Sequence, residues 1–385
     1  MRLLIAAGGT GGHIYPALAV ATSLRRRPGR PELAWVGGRR GLEARLVPPA
    51  GFPLRLLLLR SLRSVARDIH LLLDPLRLAL SVPQALALLL RRRPAAVFTT
   101  GGYVAIPVLV AARALGIPSL LWEGNVVPGR SVRATARFAS AIAVSFAETC
   151  RALPADRPCF VTGTPIRDVL AIDRVAARER LHVGPTDRFV VIFGGSQATR
   201  TLNDAVAGAM PELARRAIVL HITGDDDGAG AAIQRGLPPD VADRYRPIAF
   251  LGDDLLQALA AADLVVGRAG SSTLAEVTAF GLPMVVVPYP HAGAHQRQNA
   301  VELADAGAAR LVENEAFDGP ALLDALDLLD SPERHVAMSA AARAMGRPGS
   351  ADAVAALLLA LAERRALPDP GDVARIAAAP MRAAT

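Results

Sequence analysis

Residues Leu3–Arg27 read LLIAAGGTGGHIYPALAVATSLRRR. A short apolar run ends in Gly8, Gly9, Gly11 and Gly12, with Thr10 among them and His13 directly after. The run predicts a strand over Arg2–Ala6, and the apolar spacing beyond His13 predicts a helix. Glycines let the backbone take left-handed angles and approach a ligand closely. Pro16 suits the first turn of that helix. A helix start offers unpaired N–H groups and a partial positive charge, which favours phosphate. His13 closes the turn with imidazole, which ordinarily titrates at ~6.5, closest of all side chains to neutrality.

The same plan recurs along the chain. Further strands are expected at Leu33–Val36, Ala96–Thr99, Ser119–Leu121, Ala141–Val144, Phe189–Phe193, Ile218–Ile222, Pro247–Leu251, Leu264–Val266, Met284–Val287 and Arg310–Val312. Helical patterns separate them, so the class is α/β with parallel sheets. Most of these runs are apolar throughout, as strands covered on both faces should be. FVVIFGGSQATRTLNDAVAGAM, from Phe189, restarts the opening plan of strand, glycine turn and helix. Two similar α/β halves are therefore expected, over 1–165 and 166–345, with residues 346–365 beyond them. The Ala-, Pro- and Arg-rich stretch 366–385 is expected to be a disordered tail.

Ligands of open parallel sheets bind beyond the carboxyl ends of the strands. Two sheets facing a cleft would put a site between them, so the glycine turns matter most. Gly101, Gly102 and Tyr103 form a second turn, and Gly194–Gln197 (GGSQ) a third. A fourth follows Leu264–Val266: Arg268, Gly270, Ser271, Ser272 and Thr273 make an anion nest of hydroxyls and free N–H groups. Glu276 lies three residues after Thr273, so the bland alternative is a capping box. His291, His295, Gln296, Gln298 and Asn299 crowd the next loop with groups suited to a sugar or nucleoside. A nicotinamide site does not fit. Counted from Gly9, the third glycine of G-x-G-x-x-G is Ile14, and LAWVGG ends without the ribose-binding acid. The lysine of a P-loop is missing as well.

Composition narrows the class. The chain has 385 residues, 52% hydrophobic and 20% charged, and all 43 basic residues are arginines. Residues 1–165 carry 22 Arg against 7 acids, a net of +15, whereas 166–385 carry a net of −7. A basic half can serve nucleic acid, a membrane surface or a polyanionic substrate. Aromatics at 4% and the lack of a recognised motif argue against nucleic acid. Leucines interleaved with Arg55, Arg60, Arg63, Arg67, Arg77 and Arg91–Arg93 suit an anionic membrane surface. Apolar runs such as LALSVPQALALLL fall short of the ~20 residues a spanning helix needs. No charged leader precedes the first strand, so no signal peptide is expected. Cys150 and Cys159 argue against a disulfide framework and fit a reducing compartment. Asp225, Asp226 and Asp227 invite a metal reading, but lack partner ligands and are taken as an exposed acidic loop.

The motifs GGTGGHIYPALAVA, TGGYVAIP, WEGNVVPG, VTGTPIR, GGSQ, RAGSSTLAEV and PYPHAGAHQRQNA occur in that order over roughly 1–360. In order and spacing they resemble the MurG family of peptidoglycan glycosyltransferases. The resemblance implies the GT-B fold, two Rossmann-like domains facing a cleft, with a C-terminal helix returning to the first. It implies inverting transfer of N-acetylglucosamine from UDP-N-acetylglucosamine to lipid I, giving lipid II, with no metal and no cofactor. It implies a peripheral protein on the cytoplasmic face of the membrane.

By that resemblance Ser271, Ser272, Thr273, Leu274, Ala275 and Glu276 hold diphosphate and ribose, with Arg268 beside them. Phe250 and Leu251 flank the uracil. Thr10, Gly11, Gly12, Asn125, Arg167, Ser196 and Gln296 contact the sugar nucleotide. Gly101, Gly102 and Tyr103 join Gly11–His13 in receiving the acceptor diphosphate. His13 is the expected base and Glu123 the alternative.

The chain departs from the family pattern at WEGN for HEQN, TGTP for TGNP and GGSQAT for GGSQGA, and with Ala294 before His295 in a loop one residue short. These departures are expected around the substrate cleft. They keep two rivals in view: a related transferase with another lipid or metabolite acceptor, and a UDP-sugar epimerase.

Overall fold

Leu3 and Ile5 point to one side of the first strand, Leu4 and Ala6 to the other, and all four are buried. That alternation needs cover on both faces, and helices supply it. The computed structural model describes residues 1–39, 41–59, 70–194, 200–224, 228–290 and 295–380. The chain divides into two units, Met1–Arg167 with Arg347–Thr385, and Asp168–Gly346.

The first unit is built on seven strands: β1 (Arg2–Ala6), β2 (Glu32–Gly38), β3 (Leu54–Leu57), β4 (Ala96–Thr99), β5 (Ser119–Glu123), β6 (Ala141–Val144) and β7 (Cys159–Val161). Their order is β3-β2-β1-β4-β5-β6-β7, and every recorded pairing is parallel. On one face Leu3, Ile5, Trp35, Phe98 and Trp122 pack with Ile14 and Val20 of the helix Gly11–Arg25. The same cluster takes in Val354, Leu357 and Leu358 of the helix Ser350–Ala362, so chain from beyond the second unit completes the first unit's core. On the other face Leu4, Val36 and Val97 pack with Val104 and Val108 of the helix Gly102–Ala114.

The second unit has six strands: β8 (Phe189–Phe193), β9 (Ile218–Ile222), β10 (Tyr245–Ile248), β11 (Leu264–Gly267), β12 (Met284–Val286) and β13 (Ala309–Leu311). Their order is β10-β9-β8-β11-β12-β13, again parallel. Arg178, 6% exposed, ties together the segments that lead into the central strands β8 and β11. Its guanidinium donates to the carbonyls of Ala261, Gly184 and Asp187 and lies 3.4 Å from the Asp263 carboxylate.

Three sequence expectations change. The stretch expected to be a disordered tail carries a helix, Pro370–Ala378. Asp369 caps it by accepting from the Asp372 N–H, Pro370 starts it, and Val373 and Ala377 are buried in the first unit's core. Cys150 and Cys159 form a disulfide with Cα atoms 5.9 Å apart, joining the helix Ala147–Arg151 to β7. The strand expected at Pro247–Leu251 lies earlier, at Tyr245–Ile248, where Tyr245 is fully buried.

Candidate functional site

In each sheet the strand order reverses direction at one place, between β1 and β4 in the first unit and between β8 and β11 in the second. A crevice opens at the carboxyl ends there, because the two connections leave to opposite sides. The turns that empty into these crevices are Gly8–Gly12 and Thr100–Tyr103 in the first unit and Arg268–Ser272 in the second.

In the first unit the two turns are bonded to each other. His13 Nδ1 lies 2.7 Å from the Thr100 carbonyl, and the Thr100 hydroxyl donates to the His13 carbonyl at 2.9 Å. A carbonyl only accepts, so Nδ1 carries the proton and Nε2 is the basic nitrogen. Gly101 and Gly102 have φ of 82° and 73°, in the left-handed region. A Cβ on Gly102 would stand 3.7 Å from Nε2, so Gly102 lies beside the basic nitrogen. Thr10 precedes the helix Gly11–Arg25 without capping it through its side chain, and Gly101 likewise leaves the helix Gly102–Ala114 uncapped. Neither N-cap side chain accepts from the first turn of its helix, which suits an anion there. Tyr103 is half-buried beside this turn. Arg167 stacks 6.0 Å from the Tyr15 ring, which a Cβ on Gly11 would crowd at 3.1 Å.

Glu123 is buried at the end of β5, and the structure occupies both its oxygens. Oε1 accepts from the backbone and side-chain N–H of Asn125, each at 2.9 Å, and Oε2 accepts from Gly129 N–H at 2.9 Å. The carboxylate thus shapes the loop 124–129 and the start of the helix Arg130–Thr135. Val132 of that helix packs so near Gly101 that a Cβ there would meet it at 2.9 Å.

In the second unit the helix Ser271–Phe280 begins at Gly270, with no side-chain cap. The capping box expected from Thr273 and Glu276 does not form, because the glycine holds the N-cap position. Ser272 Oγ is buried with no hydrogen-bond partner among the described residues. So is Nδ1 of His295, which opens the helix His295–Asp305. Leu274 and Glu276 are buried, while Ser271, Thr273 and Ala275 are half-exposed. Asn299, fully buried, donates to the Ala269 carbonyl at 3.1 Å, and Gln296 Oε1 accepts from Tyr289 N–H at 3.0 Å. These bonds place the amide-rich helix against the Arg268–Ser272 turn.

Arg268 lies deeper than its expected role beside the diphosphate. It is 4% exposed and donates to the Val287 carbonyl at 3.1 Å and to Asn314 Oδ1 at 2.8 Å. Desolvation pulls its pKa below the ordinary arginine value, against the opposing pull of Tyr289 and Glu315. It braces the ends of β11 and β12 and keeps a positive charge under the turn. Phe250, by contrast, is 76% exposed just past β10, with Leu251 half-buried beside it. Ser196, Asp225–Asp227, His291 and Ala294 lie outside the described residues.

Sequence reasoning missed Thr100, which fixes the His13 tautomer, and Glu43, whose carboxylate lies beneath the first glycine turn. A lone acid just after a glycine-ended strand was the one available signal for Glu43. Two of the departures lie in packed interior rather than at an open site. Trp122 is 1% exposed and donates to the Gly163 carbonyl at 3.1 Å. Thr164 is 3% exposed, its hydroxyl 2.7 Å from Ser145 Oγ and its carbonyl accepting from Ser350 Oγ at 2.6 Å. Among the described residues no three His, Cys, Asp or Glu side chains group as metal ligands do.

The chain matches the glycosyltransferase family 28 N-terminal domain over residues 3–144 and its C-terminal domain over 189–354. It is 41% identical over 374 residues to the UDP-N-acetylglucosamine--N-acetylmuramyl-(pentapeptide) pyrophosphoryl-undecaprenol N-acetylglucosamine transferase of Moorella thermoacetica, covering 94% of this chain and 100% of that protein. The protein of the same name from Chlorobaculum parvum is 37% identical, with 94% and 100% covered. The crystal structure of Acinetobacter baumannii MurG superposes with a TM-score of 0.74 at 28% identity, over 93% of this chain and 99% of that one. A UDP-GlcNAc 2-epimerase from Neisseria meningitidis reaches a TM-score of 0.63 at 12% identity, covering 91% and 98%, a likeness of fold alone. The two Rossmann-like parallel-sheet domains are those of GT-B glycosyltransferases. Matched in both domains and along nearly its whole length, the chain belongs to glycosyltransferase family 28, within the family of MurG.

Proposed function

We propose that this protein transfers N-acetylglucosamine from UDP-N-acetylglucosamine to the muramyl sugar of lipid I, with inversion at the anomeric carbon, giving lipid II. The observation that carries the reading is the helix Ser271–Phe280, begun at Gly270 with no side-chain cap, with a buried Ser272 hydroxyl in its first turn that has no partner among the described residues. Near-full-length relatives named for that transfer supply the substrates.

In this reading the acceptor hydroxyl oxygen attacks the anomeric carbon and the bond from that carbon to the UDP oxygen breaks. The hydroxyl proton passes to His13 Nε2, and UDP departs with the bonding electrons. The second unit anchors the donor: N–H groups and hydroxyls of Ser271–Thr273 take the diphosphate, Glu276 the ribose hydroxyls, and Phe250 and Leu251 the uracil. The buried charge of Arg268 raises the local positive potential. Fixed dipoles of this kind stabilise a leaving diphosphate without reorganising. Gln296, Ser196, Thr10, Gly11, Gly12, Asn125 and Arg167 are assigned to the sugar nucleotide, and Gly101, Gly102 and Tyr103 to the acceptor diphosphate. Glu123 is assigned to holding Asn125 and Gly129 in place.

A lipid-linked acceptor calls for a membrane surface. The helix His70–Arg92 buries Ser81, Ala85 and Leu89 and turns Leu76, Ala79, Leu80, Pro83, Ala87 and Leu90 outward. Leu76, Leu80 and Leu90 are 56%, 48% and 53% exposed, and exposed Arg91 and Arg93 follow. An outward apolar face edged by arginines suits peripheral attachment to anionic lipid on the cytoplasmic face. Among the described residues no helix is long and apolar enough to cross a membrane.

The test is transfer itself. Purified protein with labelled UDP-N-acetylglucosamine should move label into lipid only when lipid I is supplied. Release of UDP with label never reaching lipid would overturn the reading.

A further inference from the structure

We infer that Glu43 is a positioning residue for the transfer, a buried carboxylate that sets the Gly8–Gly12 turn and, through it, the helix start that carries His13. The inference rests on His13 serving as the base.

Glu43 follows β2 and is 1% exposed. Its Oε2 accepts from Gly9 N–H at 2.9 Å and its Oε1 from Gly38 N–H at 2.6 Å. The neighbouring Leu42 N–H donates to the Gly9 carbonyl at 3.3 Å. Residue Gly9, with φ of 95°, is therefore gripped at its N–H and at its carbonyl by Glu43 and Leu42, the first residue and the N-cap of the short helix Glu43–Leu46. Thr10 comes next, and its carbonyl accepts from both His13 N–H and Ile14 N–H at 3.1 Å. Rotation of the Gly9 backbone would tilt Thr10 and shift the imidazole against Thr100.

The surroundings are built to admit this side chain. A Cβ on Gly8 would come within 2.5 Å of Glu43 Oε1 and one on Gly37 within 2.6 Å of Glu43 Cγ, and Gly41 is closer still. Three glycines thus leave the space that the carboxylate fills. A plain packing role would be met as well by an apolar side chain, since burying a carboxylate costs several kcal/mol. The charge instead goes to two backbone N–H groups, one of them in the turn that leads into the His13 helix. Both acceptor oxygens are needed: an amide in their place would turn an NH₂ toward one of those donors.

Glu43→Gln keeps the volume and tests the claim. Misplacing a reacting group by about 1 Å costs roughly 10²-fold, so kcat should fall by about that factor. KM for UDP-N-acetylglucosamine should rise by less than kcat falls, because the groups assigned to diphosphate, ribose and uracil lie in the other unit and only Thr10–Gly12 of the donor contacts sit on this turn. Amide hydrogen exchange over residues 7–14 should quicken, a readout independent of catalysis. Wild-type kcat with unchanged exchange would overturn the inference, and so would a rise in donor KM matching the loss in kcat. If Glu43→Gln does not fold, Gly8→Ala crowds the same oxygen. There a lower Tm with unchanged kcat per folded molecule would overturn it. Should the wild-type protein fail to label lipid I, the functional reading falls, while the exchange comparison still decides what Glu43 holds.

Discussion

His13 and Thr100 hold each other by two reciprocal bonds, imidazole Nδ1 to the Thr100 carbonyl at 2.7 Å and Thr100 hydroxyl to the His13 carbonyl at 2.9 Å. The pair joins the turn after β1 to the turn after β4 and puts the imidazole proton on Nδ1. Replacing His13 by alanine should lower kcat about 10²- to 10⁴-fold, the usual worth of a general base. UDP affinity, measured by calorimetry, should not change. Turnover equal to wild type would remove His13 from the mechanism.

Glu276 is buried in the helix that starts at Ser271. A hydrogen bond from ribose to a charged acceptor is worth about 1.5–3 kcal/mol, so Glu276→Ala should weaken UDP-N-acetylglucosamine binding roughly ten- to hundredfold. Titration calorimetry reads this directly, and unchanged affinity would move the ribose elsewhere.

The departure at Trp122 is a matter of packing. Trp122→Ala should cost about 3–5 kcal/mol of stability, seen as a lower urea midpoint. The ratio of turnover on lipid I to turnover on other polyprenyl acceptors should hold. A changed acceptor ratio in folded protein would show that the position selects substrate.

Turnover should survive exhaustive chelation. The groups assigned to the diphosphate are N–H donors and hydroxyls, with the buried charge of Arg268 beneath them, which stabilise an anion without a metal ion. A requirement for Mg²⁺ or Mn²⁺ restored after chelation would implicate acidic residues instead, Asp225–Asp227 first among them.

In the second unit Arg188 and Arg216 both bond Asp330 and hold its carboxyl below the usual range. A depressed carboxyl contributes stability above its unfolded-state pKa and loses it as pH falls through the folded-state value. Asp330→Asn should therefore flatten the acid limb of a Tm-against-pH curve. The effect should be small and shrink with salt, because the group is exposed. An acid limb identical to wild type would show that the cluster contributes nothing.

Much of the fold was legible because parallel strands covered on both faces are apolar at every position. Arg2–Ala6, Ala96–Thr99, Ala141–Val144, Phe189–Phe193 and Ile218–Ile222 stand where the pattern put them. β3 was missed because Leu54–Leu57 carries an arginine and runs into more leucines, a mixture that reads as helix. β7, Cys159–Val161, was missed as well. The glycine turns were legible as turns, since glycine there answers to local backbone geometry. Occupied oxygens on Glu123, the depth of Arg268 and the grip of Glu43 on Gly9 depend on partners far along the chain. No local pattern carries those.

The first unit opens at the amino terminus, yet its core takes in residues from the helices Ser350–Ala362 and Pro370–Ala378. On the ribosome its sheet must therefore wait, with Leu3, Ile5 and Trp35 lacking their last cover, until nearly all the chain has emerged. The continuous unit 168–346 can close first. Synthesis thus reverses the usual amino-to-carboxyl order of domain maturation, and a nascent chain stopped before residue 350 would hold a finished second half and an open first one, the form that chaperones would have to guard.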